Sequence, residues 1–146
     1  MKELLLQQAK FNARFLGINM DGITEEDALR VPEHGCNNIN WILGHILFSR
    51  RSIAKMLGKV PEAEIDLSMY ARGIAKDGYA GKLLPLAYLQ EQLSIHQEKI
   101  INALETSGDM EAEFAEKLSF GLSHENYHVG QISILRQAAG KSGAIK

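Results

Sequence analysis

Leu118-Ser119-Phe120-Gly121-Leu122-Ser123-His124-Glu125-Asn126-Tyr127-His128-Val129-Gly130-Gln131-Ile132 is the stretch on which the reading of this chain turns. Its pattern is helical, and it carries two histidines four residues apart. At about 100° per residue, four residues return a side chain to within roughly 40° of its starting direction. His124 and His128 therefore stand one above the other. The same face takes Phe114, Gly121, Ile132, Leu135 and Ala139, while the opposite face takes Ser119, Ser123, Asn126, Ser133 and Gln137. That distribution predicts imidazoles that point into a core. Two inward histidines at this spacing can chelate one divalent metal, as the zinc-binding H-E-x-x-H helix does. The protease form of that motif needs a further ligand downstream, and residues 131–146 contain no His, Asp or Glu. A third ligand must come from an earlier helix.

The best donor upstream is His45. A helix is predicted from Asn37 or Asn38, both good N-caps, through Trp41, Ile42, His45, Phe48, Ser52 and Met56 to Gly58. Measured from His45, the residues Asn38, Trp41, Ser49, Ser52 and Met56 fall within roughly 40°. This stripe mixes an indole, a thioether, an amide and two hydroxyls, where a purely structural core would be aliphatic. His45 alone reads as a core histidine; beside an inward pair on another helix it reads as the third ligand. Asn12, Asn38, Trp41, Ser49 and Ser52 are the candidates for orienting ligands or substrate. Glu125 and Tyr127 turn roughly 80–100° or more away from the pair, as supporting or surface groups. Leu43, Leu47 and Ala54 face away from His45, beside Arg50 and Arg51. A helix apolar on two sides is sandwiched, by another segment of the chain or by a second subunit, which raises a homodimer.

The rest of the chain reads as further helices. Residues 2–17 form the first, with Leu5, Ala9 and Leu16 sharing a face with Gln8 and Asn12, and Gly17 as the expected stop. Thr24 caps one or two turns, with Asp27 at the capping-box position. Pro32 and Gly35 break the chain, and His34 between them reads as a surface histidine. Residues 59–82 form a long connection containing Pro61, Gly73, Gly78 and Gly81, with short turns around 65–71. It is a crossover between parallel neighbouring helices, or a lid over a site. A helix over 84–104 buries Leu86, Leu89, Leu93, Ile100 and Leu104, with Pro85 in its first turn and His96 at the edge of the stripe. The last helix begins at Met110 or Glu113 and ends at Ala139, before Gly140. No strand-like alternation and no repeat is visible. The expected fold is all-α, a four-helix bundle in one domain over 1–146, with the long crossover between its second and third helices.

Composition narrows the function. The chain has 146 residues, 45% hydrophobic and 23% charged, with a formal net charge of -2. Nothing in that balance suggests a nucleic-acid or anionic-membrane partner. The short apolar run at Leu4-Leu5-Leu6 is broken by Gln7, Gln8 and Lys10, so it is neither a signal peptide nor a membrane span. Cys36 is the sole cysteine and forms no internal disulfide. Both features lead to the expectation of a cytoplasmic protein. Three neutral imidazoles leave coordination positions open, as catalytic sites do. Zinc, nickel, manganese and iron(II) all accept imidazole. The bland alternative is three core histidines and no metal.

Asn12 on the first helix, the run Asn-Asn-Ile-Asn-Trp-Ile-Leu-Gly-His-Ile-Leu-Phe-Ser-Arg at 37–50, and the run from Leu122 to Lys141 together resemble the DinB family of bacterial four-helix metalloproteins, over nearly the whole chain. The resemblance implies an up-down-down-up bundle, frequent homodimers, and a divalent metal such as zinc or nickel on His45, His124 and His128. It also implies thiol chemistry, since characterised relatives include transferases that join bacillithiol to electrophiles and a mycothiol-dependent isomerase. The expected function is a metal-dependent thiol S-transferase acting on a small-molecule substrate with a low-molecular-weight thiol as co-substrate. The alternatives are a metal-dependent hydrolase and a non-catalytic, stress-related bundle that binds a metal or small ligand.

Overall fold

A computed structural model describes residues 1–32, 36–59, 64–73 and 82–143. Five α-helices carry the fold, with no strand among the described residues: α1 (Lys2–Met20), α2 (Glu25–Leu29), α3 (Ile39–Met56), α4 (Leu86–Thr106) and α5 (Ala112–Ala138), with a single 3-10 turn at Ser68–Tyr70. No described helix is long and apolar enough to cross a membrane.

Local signals set most of the helix ends. The Asn38 side chain accepts from the Trp41 amide and starts α3. Thr24 and Asp27 form a reciprocal capping box on α2. Pro85 stands at the N-cap of α4, and Gly140, at φ 81°, follows the last turn of α5. The first helix departs from expectation, since it runs past Gly17 to Met20. A mid-helix glycine costs about 1 kcal/mol, and the extra turn buries Asn19 and Met20 against the core, which outweighs it. The chain turns instead at Gly22, whose φ is 71°.

Each of the four long helices packs on two others: α1 on α4 and α5, and α3 on α4 and α5. Lys2 Nζ, at the start of α1, donates to Ser107 O after the end of α4 (2.7 Å). Asn12 Nδ2 donates to Leu122 O (2.7 Å), and Arg136 Nη1 donates to Asn19 O (3.1 Å), joining α1 to α5 at two levels. Arg136 also reaches the carbonyls of Asp21 and Ser142. From α3, Asn40 Nδ2 donates to Leu84 O just before α4, and Arg50 Nη1 donates to Leu93 O within it. The core falls into two apolar clusters. The larger gathers Leu16, Ile42, Ile46, Leu47, Leu89 and Ile132 among others, and the second gathers Leu5, Ala9, Ile53, Ile100, Leu104 and Leu118.

Two expectations about helix faces need correction. On α5 the buried residues are Ala115, Leu118, Leu122, Glu125, Val129, Ile132 and Arg136, along with His128. Apart from His128 they alternate in steps of three and four, the spacing of a coiled-coil seam. The centre of the buried side is therefore Glu125, and the histidines lie on its flank. On α3 the side chains of Ile42, Ile46, Ile53 and Arg50 point to the core, while Ser52 and Met56 on the expected inward stripe reach the surface. Leu43, Leu47 and Ala54 are buried by the chain's own elements, which answers the two-sided apolarity of α3 without a second subunit. His96, expected at an edge, is 2% exposed.

Candidate metal centre

The flanks of α3 and α5 face each other, and His45, His124 and His128 meet there. One ring nitrogen from each lies within 4.8 Å of the others. Ring centroids are separated by 5.2 Å for His45 and His124, 4.8 Å for His45 and His128, and 4.5 Å for the α5 pair. All three pairs of ring planes cross at 68–82°. Nε2 of His128 is 3.1 Å from Nε2 of His124. Two imidazoles on one ion, bound at about 2.0–2.1 Å, would sit roughly 2.9–3.4 Å apart between right-angle and tetrahedral arrangements. The donor set and its spacing are compatible with a divalent ion.

Each imidazole is also held from behind. His45 Nδ1 lies 2.7 Å from the carbonyl oxygen of Tyr70, which can only accept, so this nitrogen carries the proton. His128 Nδ1 lies 2.7 Å from Gln131 Oε1, and His124 Nδ1 lies 3.4 Å from Ser49 Oγ. In His45 and His128 the Nδ1 proton is directed at an oxygen that can only accept, which leaves Nε2 of those two rings to bind; the Ser49 hydroxyl, able to donate or accept, touches Nδ1 of His124. Such outer hydrogen bonds fix the tautomer and make the ligand more basic.

Electrostatics favour the neutral form of the His124 and His128 rings, the form that binding requires. Burial pushes the His128 imidazole down to about 4, against a partial offset from its Gln131 hydrogen bond; charges on His45 and His124 push the same way as burial. Burial also lowers His124, helped by the charges of His45 and Arg72, while Glu125 opposes the shift. Glu125 itself is 1% exposed and paired with Arg50, with Nη2 to Oε1 at 2.6 Å and Nε to Oε2 at 3.1 Å. It is thus a core residue committed to a partner, not a surface group.

The other candidates divide. Trp41 stacks on His45, with centroids 4.9 Å apart and planes 11° apart, and its Nε1 donates to Met69 O. Ser49 touches His124. Asn12 is buried but bonds the α5 backbone at Leu122, so it fixes the helix rather than a ligand. Asn38 is spent on the α3 cap and on Leu29 O. Ser52 is at the surface, where its hydroxyl donates to Phe48 O within its own helix. His96 gives Nδ1 to Gln92 O and takes no part in the triad. Cys36 is exposed, and His34 lies outside the described residues.

Sequence reasoning passed over Tyr70, Gly44 and Gln131. Tyr70 is 1% exposed; its hydroxyl accepts from the Leu84 amide (2.6 Å) and reaches Asn40 Oδ1 (3.3 Å), so its carbonyl is held against His45. Its ring occupies the space above Gly44, where a Cβ would come within 2.1 Å of it. The described part of the long connection is thus a structural support of the site. A glycine inside a strongly apolar helix was the available signal for such a close approach. Gln131 was detectable too, because three residues on from His128 it shares that side of the helix.

The sequence model described as the DinB superfamily matches residues 9–132. No match was found among curated proteins or among solved structures.

Proposed function

The chain belongs to the DinB superfamily, and from that premise we propose that it is a divalent-metal enzyme of the thiol S-transferase type, with His45, His124 and His128 as the ligands. The observation that carries the reading is the shared arrangement of the three rings: Nδ1 of each lies against an oxygen, and one ring nitrogen from each lies within 4.8 Å of the others. A divalent ion held there would supply Lewis acidity, keeping a bound low-molecular-weight thiol in its thiolate form for reaction with an electrophile. The protein's own groups bind and orient. Tyr70 O, Ser49 Oγ and Gln131 Oε1 aim the imidazoles, and the buried Trp41 ring packs flat on His45.

The reading extends to the frame. The long helices form one domain as an up-down-down-up four-helix bundle, supported by Lys2 beside Ser107, Asn12 beside Leu122, and Arg50 beside both Leu93 and Glu125. We include in the proposal a homodimer acting in the cytoplasm. A scattering mass near twice 16.2 kDa supports the dimer, and a mass near 16.2 kDa removes it.

The test is metal per chain on protein purified without a histidine tag, followed by turnover of a thiol with 1-chloro-2,4-dinitrobenzene. Stoichiometric zinc, nickel, manganese or iron, with activity lost in His124→Ala, supports the enzyme. Activity unchanged in His124→Ala removes metal chemistry. One observation favours a second reading, a non-catalytic metal- or small-ligand-binding bundle: the adjacent carboxylate Glu125 is consumed by Arg50 and offers no general base. Metal-dependent stabilisation without thiol transfer or hydrolysis across a broad panel would select it.

A further inference from the structure

Among the described residues, four aromatic side chains stand beside the three imidazoles, and only one of the four is buried. Trp41 is 5% exposed, whereas Phe48, Tyr127 and Phe120 are 41%, 65% and 74% exposed. Each exposed ring lies against a different imidazole. Phe48 is parallel to His45 within 2°, with centroids 6.5 Å apart, so that Trp41, His45 and Phe48 form one stack along α3. Phe120 lies 6.4 Å from His124 at 19°. Tyr127 meets His128 edge-on at 5.2 Å. A single exposed ring on a protein surface is ordinary. Three of them, from two helices, each beside a different imidazole of one polar cluster, form an apolar collar in a position where water-exposed polar groups would cost nothing.

Resting on the metal-centre reading, we propose that Phe48, Phe120 and Tyr127 form an aromatic rim that determines specificity. The rim selects a ligand that carries a metal-binding atom and, next to it, a flat apolar body: an aryl or arylmethyl thiol in preference to a small hydrophilic one. The chemistry is that of aromatic contact. Rings attract in offset-stacked or edge-on arrangements at centroid separations of about 4.5–7 Å, and the rim offers rings at different tilts beside the three imidazoles. A ligand without a ring reaches the nitrogens but leaves the collar in water. Because Phe120 is largely exposed and donates no hydrogen bond, it adds contact area without being needed for folding.

The proposal is tested on cobalt(II)-loaded protein, by titrating the thiolate-to-cobalt charge-transfer band with phenylmethanethiol and with 2-mercaptoethanol. The expected result is at least tenfold tighter binding of phenylmethanethiol. Phe120→Ala should lose most of that preference, Phe120→Tyr should keep it, and Phe48→Ala provides a second site for the same loss. Equal affinity for the two thiols, or a preference that survives both alanine variants, overturns the rim while leaving the metal centre standing. No cobalt spectrum in the wild-type protein overturns the metal centre and the rim with it.

Discussion

At the residue scale the site depends on which ring nitrogen carries the proton. Gln131→Leu keeps the bulk near His128 and removes the oxygen that holds its Nδ1. Loss of such an outer hydrogen bond typically costs 10–100-fold in metal affinity, so competition with a chromophoric chelator should show zinc binding weakened by about that factor. An unchanged affinity would mean that the ring is held by packing alone. In metal-free protein, burial holds His128 near 4 and lowers His124. Both lie below the ordinary value of about 6.5, so the unfolded chain binds more protons than the folded one across the interval. Stability is therefore fully present above about pH 6.5 and is lost as pH falls toward 4. Thermal melts of chelator-treated protein should decline over that window, with a shallower decline in His128→Gln. The three histidines were legible in the sequence because spacing alone reveals a pair on one face. Their backing oxygens were less so, since a backbone carbonyl such as that of Tyr70 leaves no trace in side-chain identity.

At the element scale, α3 and α5 are held in register by Arg50 and Glu125, both almost fully buried. Removing one partner of such a pair leaves a buried charge and costs about 3–5 kcal/mol. Glu125→Leu should lower the melting temperature sharply, whereas combining it with Arg50→Met should recover much of the loss; a double variant as weak as the single would show that the pair itself supplies net stability. The buried charges of α5, Glu125 and Arg136, also explain why that helix's face was misplaced from sequence. Read as polar, Glu125 and Arg136 are pushed outward and the apolar centre shifts toward the histidines; read as paired, they fall in line with Leu118, Leu122, Val129 and Ile132. A similar local fit governs α3 at Gly44. Gly44→Ala sets a methyl group against the Tyr70 ring, an overpacking expected to cost about 1–3 kcal/mol. Because the same residue's carbonyl holds His45, zinc affinity should fall in parallel; a stability loss with full affinity would uncouple the two.

At the scale of the whole molecule, the helical class and the order of long helices follow from apolar periodicity and caps, and both were readable. The packing partners were not, because α3 is buried on several sides and its sequence does not say which neighbour lies where. Metal ligands drawn from two helices make binding a cross-link between them, and any ligand that binds only the folded state stabilises it by mass action. Zinc at about 100 times its dissociation constant should add about 2.7 kcal/mol, seen as a rise in melting temperature that chelator reverses. No rise in His45→Ala and a full rise in Ser52→Ala would match their places in the fold.

The carbonyl of Tyr70 carries one more consequence. It joins a segment between helices directly to a ligand ring, so occupancy of the centre should be felt where no ligand atom resides. Deuterium uptake at the amides of Tyr70 and Ala71, which donate to Leu67 O and Ser68 O, should slow when zinc is added and quicken when it is stripped, turning that stretch of backbone into a built-in reporter of the ion.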